Sequence, residues 1–310
     1  MPVIHNNSYR APMLLRGKHF ETIFPALFRR VKEMPESKRK SISLSDGDRL
    51  TYDHYEGGND RVAILSHGLE GNSKKAYIQG LAKILFANGY DVIAWNFRSC
   101  DGEMNNTIRF YHSGATDDLE EVVKLASDNY RSLFLAGFSL GANLTLKFAG
   151  EPKAAIYTNI SKIAAICAPL NLHTGSINIG KRSNILYARR FLKSLKKKVL
   201  LKDRKLPGKI DTTKLREVKT LFDFDDHYTA PLHGFTDAAD YYKQCSSIYY
   251  VRNIKVPALI VNALNDPMLP QETYDTEAFN KLDLVTLELT GSGGHCGFPG
   301  ADKNGYYWSE

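Results

Sequence analysis

The chain has 310 residues, a formal charge of +7, and hydrophobic and charged fractions of 43% and 24%, the profile of one large globular domain or one domain carrying an insertion. No apolar run reaches the ~18 residues of a membrane span, and the N-terminus lacks the apolar region of a signal peptide. Cys100, Cys167, Cys245 and Cys296 show no CxxC spacing, so free thiols in a reducing cytoplasm are expected, with no metal site and no cofactor.

Residues 1–38 mix apolar residues with Pro2, Pro12, Pro25 and Pro35 and read as an irregular N-terminal arm with a short helix near 26–32. A hairpin is predicted over 39–45 and 50–55, turning at Asp46-Gly47-Asp48. Strands and helices then alternate: strand 61–66, helix 75–88 stopped by Gly89, strand 90–95, helix 116–129, strand 132–136 and strand 163–168. Thr116 is expected to cap the 116–129 helix, with Asp117 and Asp118 favoured by its dipole. The alternation stops at Leu170 and resumes with strand 258–263, and the last strand is 284–289. Short apolar strands joined by helices predict a mostly parallel sheet covered on both faces. The core is then residues 39–169 and 257–310, and 170–256 is a mainly helical cap over the strand ends, where such sheets bind ligands.

The positive charge is concentrated in that insertion, where residues 181–219 hold 15 Lys/Arg against 3 Asp/Glu. A solvated surface is the plain reading. Contact with anionic lipid or an acidic partner is the functional one. No nucleic-acid motif accompanies the charge, so no nucleic-acid partner is expected. Gly175 to Arg182 matches G-x-x-x-x-G-K, but Arg182 replaces the hydroxyl residue a magnesium phosphate site needs, and no strand precedes it.

Gly137-Phe-Ser139-Leu-Gly141 is the stretch that carries chemistry. It lies between a strand and a helix, the setting in which G-x-S-x-G forms a tight elbow that lifts a nucleophilic serine above the sheet. A serine hydroxyl needs a base, itself oriented by an acid. Asp266 follows strand 258–263, and His295 follows the last strand in a glycine-rich loop. The order Ser, Asp, His, each beyond a strand end, is that of the α/β-hydrolase arrangement. The N–H groups of Leu140 and of Leu69, in His67-Gly-Leu-Glu-Gly71, are the expected oxyanion donors. A carboxylate facing an oxyanion would repel it, so the Glu70 side chain is expected to turn outward or cap the following helix.

These motifs together resemble the α/β-hydrolase-4 family of bacterial hydrolases, related to medium-chain fatty-acid ethyl ester synthases/esterases and to plant embryogenesis-associated proteins. Tyr111-His-Ser-Gly-Ala-Thr-Asp-Asp118, Asn96-Phe-Arg98, Thr229-Ala-Pro-Leu-His-Gly-Phe235, Asn265-Asp-Pro267 and Gly293-Gly-His-Cys-Gly-Phe298 carry the likeness besides the elbow. The resemblance implies an α/β-hydrolase fold, a Ser139–Asp266–His295 triad, and hydrolysis of short- to medium-chain carboxylic esters, with acyl transfer to an alcohol as an alternative. A ligand-binding protein without activity is the third reading. His112 and Asp117 resemble an H-x4-D motif associated with acyl transfer in eukaryotic relatives, against the plainer reading that they tie a loop to a helix start. Ser99 stands where the family commonly has glycine. Only 15 residues follow His295, where the family adds a terminal helix; a truncated chain or a covering partner is expected.

Overall fold

The computed structural model describes residues 3–6, 8–300, 302 and 305–310. Its strands are β1 (Val3–Asn6), β2 (Lys38–Ser43), β3 (Arg49–Tyr55), β4 (Arg61–Ser66), β5 (Asp91–Asn96), β6 (Ser132–Phe138), β7 (Ile160–Ile166), β8 (Ala258–Ala263) and β9 (Val285–Thr290). They form one sheet in the order β1-β9-β8-β7-β6-β4-β5-β3-β2. The β2–β3 and β3–β5 pairs are antiparallel and the other pairs parallel. The predicted hairpin is therefore present, at one sheet edge.

Helices α1 (Lys18–Phe28), α2 (Ala76–Ala87), α3 (Thr116–Ser127) and α4 (Leu140–Gly150) accompany the sheet. Alternate side chains of the parallel strands enter opposite cores. Ile64, Leu135 and Ile260 join one with Trp95 and Phe148. Their neighbours Leu65, Ala136 and Val261 join the other with Ile78 and Phe138. Strands buried on both faces read as unbroken apolar runs, which is why β4 and β8 fall where the sequence predicts them.

Two local expectations are corrected. The arm is not irregular: β1 pairs in parallel with β9, and α1 begins at Lys18, well before the predicted 26–32 helix. Glu21 reaches back to accept from the Gly17 N–H at 2.9 Å, which starts α1 despite Pro25 near its end. Thr116 is not a cap. It is the first residue of α3, preceded by Ala115, which offers no side-chain acceptor. Asp117 and Asp118 do occupy the first turn, but Asp118 is spent on Arg98, whose guanidinium also binds Asp46 and Asp48 at 2.7–2.9 Å.

The stretch from 170 to 256 is helical throughout its regular parts: α5 (Leu172–Gly180), α6 (Ile185–Lys205), α7 (Leu221–Phe224), α8 (Ala230–Leu232) and α9 (Ala238–Cys245), with a π turn at Asp225–Thr229 joining α7 to α8. The G-x-x-x-x-G-K segment is α5 and the turn after it. α6 has two characters. Leu192, Leu195 and Val199 pack with Phe224 and Tyr228. Its lysines do not all face water: Lys196 donates to Leu215 and Val218 carbonyls, and buried Lys202 donates to the Thr107 carbonyl at 2.6 Å. Helix α10 (Thr276–Phe279) precedes β9. The final residues fold back, Trp308 against Tyr9 and Phe298, and Glu310 paired with Arg29. No helix among the described residues is long and apolar enough to cross a membrane.

Candidate active site

Ser139 sits in the turn between β6 and α4 with φ 54° and ψ −120°, a strained left-handed conformation for a residue with a side chain. The flanking glycines make the turn possible by their lack of bulk. A Cβ on Gly137 would lie 2.3 Å from the Gly141 carbonyl oxygen, and one on Gly141 would lie 2.4 Å from that of Ser66. The hydroxyl is thereby presented above the parallel strand ends, beside the first N–H groups of α4.

His295 lies 2.8 Å from the Ser139 Oγ through Nε2 and 2.7 Å from Asp266 Oδ2 through Nδ1. The structure therefore brings together the three residues singled out in the sequence. Asp266 Oδ1 accepts from the Met268 and Leu269 N–H groups, so both carboxylate oxygens are held. Burial alone would lower the imidazole's pKa, but the charge and hydrogen bond of Asp266 outweigh it and raise it to about 9.

The loop after β4 is pinned at every residue around Leu69. The buried His67 donates from Nδ1 to the Gly68 carbonyl and accepts at Nε2 from the Phe97 N–H. Desolvation dominates its environment and lowers its pKa to about 3, so it stays neutral. The Gly68 N–H is taken by Tyr77 Oη and the Glu70 N–H by Tyr111 Oη. Among the described residues the Leu69 and Leu140 N–H groups have no hydrogen-bond partner outside a helix. The two expected donors are thus left free beside Ser139.

Glu70 departs from expectation. Its side chain turns inward to Tyr111 Oη at 2.6 Å, the Lys198 ammonium at 2.7 Å and the Ser194 hydroxyl. Burial opposes its charge, but Lys198, Ser194 and Tyr111 together hold its pKa below the usual glutamate range. The repulsion foreseen for an oxyanion neighbour is removed by neutralisation on α6 rather than by distance.

His112 and Asp117 are not brought to Ser139 as a pair. Buried His112 accepts from the Gly114 N–H and packs on His233 at 4.4 Å between ring centres; burial, then the neighbouring His233, hold its pKa well below the ordinary value. It lines the cavity next to Ser139. Asp117 points to Arg109, 2.6 Å away. Ser99 has φ 61°, a left-handed conformation that glycine adopts more readily, and its hydroxyl is fixed by Asn105.

Several positioning residues escaped the sequence reading. Thr22 Oγ1 accepts the His295 N–H, and Glu21 accepts the Gly293 N–H, so α1 holds the histidine loop. Proline spacing in the arm hid that helix, and nothing local marks its partner. Cys167, His295 and Cys296 bring one ligand atom each within 4.8 Å of one another. A metal ion there would have to draw His295 away from Ser139 or Asp266, since both imidazole nitrogens are engaged.

Two cavities meet at Ser139 and His295. One, of about 130 Å³, runs between apolar side chains that include Phe110, Ile179, Leu195, Leu221 and Phe224. The other, of about 300 Å³, opens between α1 and the start of α6.

The profile of the alpha/beta hydrolase fold matches residues 63–302. YheT of Escherichia coli (strain K12), a candidate esterase by name, is 31% identical over 291 residues, covering 91% of this chain and 84% of that protein. Human monoacylglycerol lipase ABHD2 is 28% identical over 319 residues, covering 93% and 73%. Among solved structures, the esterase Pf2001 of Pyrococcus furiosus superposes with a TM-score of 0.55 at 19% identity, over 85% of this chain and 83% of that one.

Proposed function

The chain belongs to the α/β-hydrolase fold family, and on that premise we propose that it is a serine esterase acting on short- to medium-chain carboxylic esters. The observation that supports this reading is the unbroken hydrogen-bond line Asp266–His295–Ser139, with contacts of 2.7 and 2.8 Å.

In the proposed reaction His295 Nε2 takes the hydroxyl proton as Ser139 Oγ attacks the ester carbonyl. Asp266 keeps the second nitrogen oriented and stabilises the imidazolium. The carbonyl oxygen gathers negative charge toward the N–H groups of Leu69 and Leu140, each worth about 10²-fold or more in rate. His295 then protonates the departing alcohol oxygen as the C–O bond breaks, leaving an acyl group on Ser139. Water, deprotonated by the same imidazole, releases the acid and restores the hydroxyl. The smaller cavity accepts the acyl chain, since its walls are apolar and it ends at the nucleophile. An alcohol taking the place of water would give ester synthesis by the same steps.

A p-nitrophenyl ester series of increasing chain length tests the reading, together with fluorophosphonate labelling. We expect turnover to rise and then fall with chain length, and Ser139→Ala to lose both turnover and label while remaining folded. Full activity in Ser139→Ala would overturn the assignment. The outward residues Leu186, Arg189, Lys193 and Lys197 of α6 are exposed, which supports contact with anionic lipid. Faster turnover with anionic than with neutral vesicles is the expected outcome, and equal rates would remove that contact from the proposal.

A further inference from the structure

The cavity between α1 and α6 has a different chemistry from the apolar one. Besides Ser139 and His295 its walls include Ile23, Ala26, Lys75, Tyr187 and Arg190. The charges in it do not balance. Glu70 is committed to Lys198, and Arg29 is committed to Glu310. Lys75 and Arg190 have no carboxylate partner and no side-chain hydrogen bond among the described residues. Asp53, close in the fold, is already shared by Arg39 and Lys74. Two surplus cations therefore share one concave space, next to the reacting serine.

Burial is the chief influence lowering the pKa of Lys75 and the charge of Arg190 is the next, with the field of Glu70 offsetting only part of it. The two groups thus sense each other's field inside the cavity, and each would be stabilised by an anion between them. Such an arrangement disfavours the empty protein slightly and favours a ligand of opposite sign.

The direction of the reaction decides which half of a substrate goes there. With the acyl chain in the apolar cavity, the alcohol oxygen leaves on the opposite side of the carbonyl, where His295 Nε2 must reach it. Both cavities share Ser139 and His295, so the alcohol half extends into the one that carries Lys75 and Arg190.

We propose that this second cavity is a subsite for the alcohol half of the ester, and that the preferred alcohol carries an anionic group, a phosphate or carboxylate, held by Lys75 and Arg190. The proposal rests on the esterase reading above for its placement relative to Ser139. The anion itself requires only the cavity.

The test compares a monoacylglycerol with its phosphorylated counterpart of equal acyl chain, using the full chain and the variants Lys75→Gln, Arg190→Gln and Lys75→Arg. A charge-assisted contact predicts a kcat/KM about tenfold or more higher for the phosphorylated ester. Each Gln variant should lose about tenfold more on the phosphorylated ester than on the neutral one, chiefly through KM, and Lys75→Arg should retain most of the preference. Equal losses on both esters, or a preference for the neutral one, would overturn the subsite. Inorganic phosphate and glycerol phosphate, titrated calorimetrically, separate the anion from the reaction. Binding that Lys75→Gln weakens supports the cationic pair even if no ester is turned over, an outcome that would count against the esterase reading alone. Absence of binding would overturn the cationic site. Phosphate binding without any preference among esters would make it a free-anion site, and the proposal would fall.

Discussion

His295 and Asp266 face each other at 2.7 Å, and the carboxylate side chain has no exposure to solvent. The imidazole is only 11% exposed, so the balance between desolvation and the negative charge of Asp266 chiefly sets its protonation. The charge wins in the free protein, and the pKa stands at about 9.

The first prediction concerns pH. A base must be neutral to accept a proton, so kcat/KM for a p-nitrophenyl ester should climb as pH rises through about 9. Asp266→Asn removes the charge that raises the imidazole and leaves the burial that lowers it. The rising limb should then move below the ordinary histidine value, while the rate falls by about 10⁴-fold. The stability supplied by the charged pair has the opposite trend. It is complete below the unfolded histidine pKa near 6.5 and is lost as pH rises through about 9.

The elbow glycines cannot be enlarged. Gly137→Ala would place a methyl 2.3 Å from the Gly141 carbonyl oxygen, with backbone on both sides of the clash. We expect a loss of about 3 kcal/mol in stability from overpacking, and esterase activity below detection. Chemical denaturation alongside ester turnover checks both. A variant with wild-type values would show that the turn relaxes freely.

Glu70 and Lys198 form a pair with side-chain exposures of only 10% and 15%. Glu70→Gln leaves the ammonium buried without its counter-charge and should cost about 3 kcal/mol. Replacing both, as Glu70→Gln with Lys198→Met, should restore most of that loss. Denaturation midpoints of the three proteins decide it. The folded pKa of Glu70 is depressed, so the pair stabilises above the unfolded glutamate pKa and is lost as pH falls through the folded one.

Lys202 joins α6 to the loop before α3, where its ammonium donates to Thr107 and Asn105. Lys202→Met orphans those buried acceptors and should destabilise the protein by about 2 kcal/mol. Desolvation depresses the lysine's pKa to about 8 from 10.5, so the wild type should gain stability relative to the variant as pH rises between these values. Thermal melts across that range provide the measurement.

The sheet and the three site residues were legible because their signals are local. β4 and β8 are apolar runs bounded by polar or turn residues, and Ser139, Asp266 and His295 each follow such a strand. The arm was not legible. β1 exists because Val3–Asn6 pairs with Leu287–Thr290, and α1 holds a proline that a local reading treats as a break. The inward turn of Glu70 was equally hidden, because its cation lies 128 residues further along the chain. The mixed character of α6 needed the loop carbonyls of Asn105 and Thr107 before its lysines could be sorted into inward and outward sets.

The grip of α1 on the histidine loop has a consequence for the chain during its manufacture. Thr22 and His295 are 273 positions apart, so at about 5–20 residues per second roughly a quarter to most of a minute separates their emergence from the ribosome. For the last 156 of those positions the serine elbow is already outside while its partner histidine has yet to follow. On the esterase reading, such a nascent polypeptide becomes competent only when its earliest and latest portions meet.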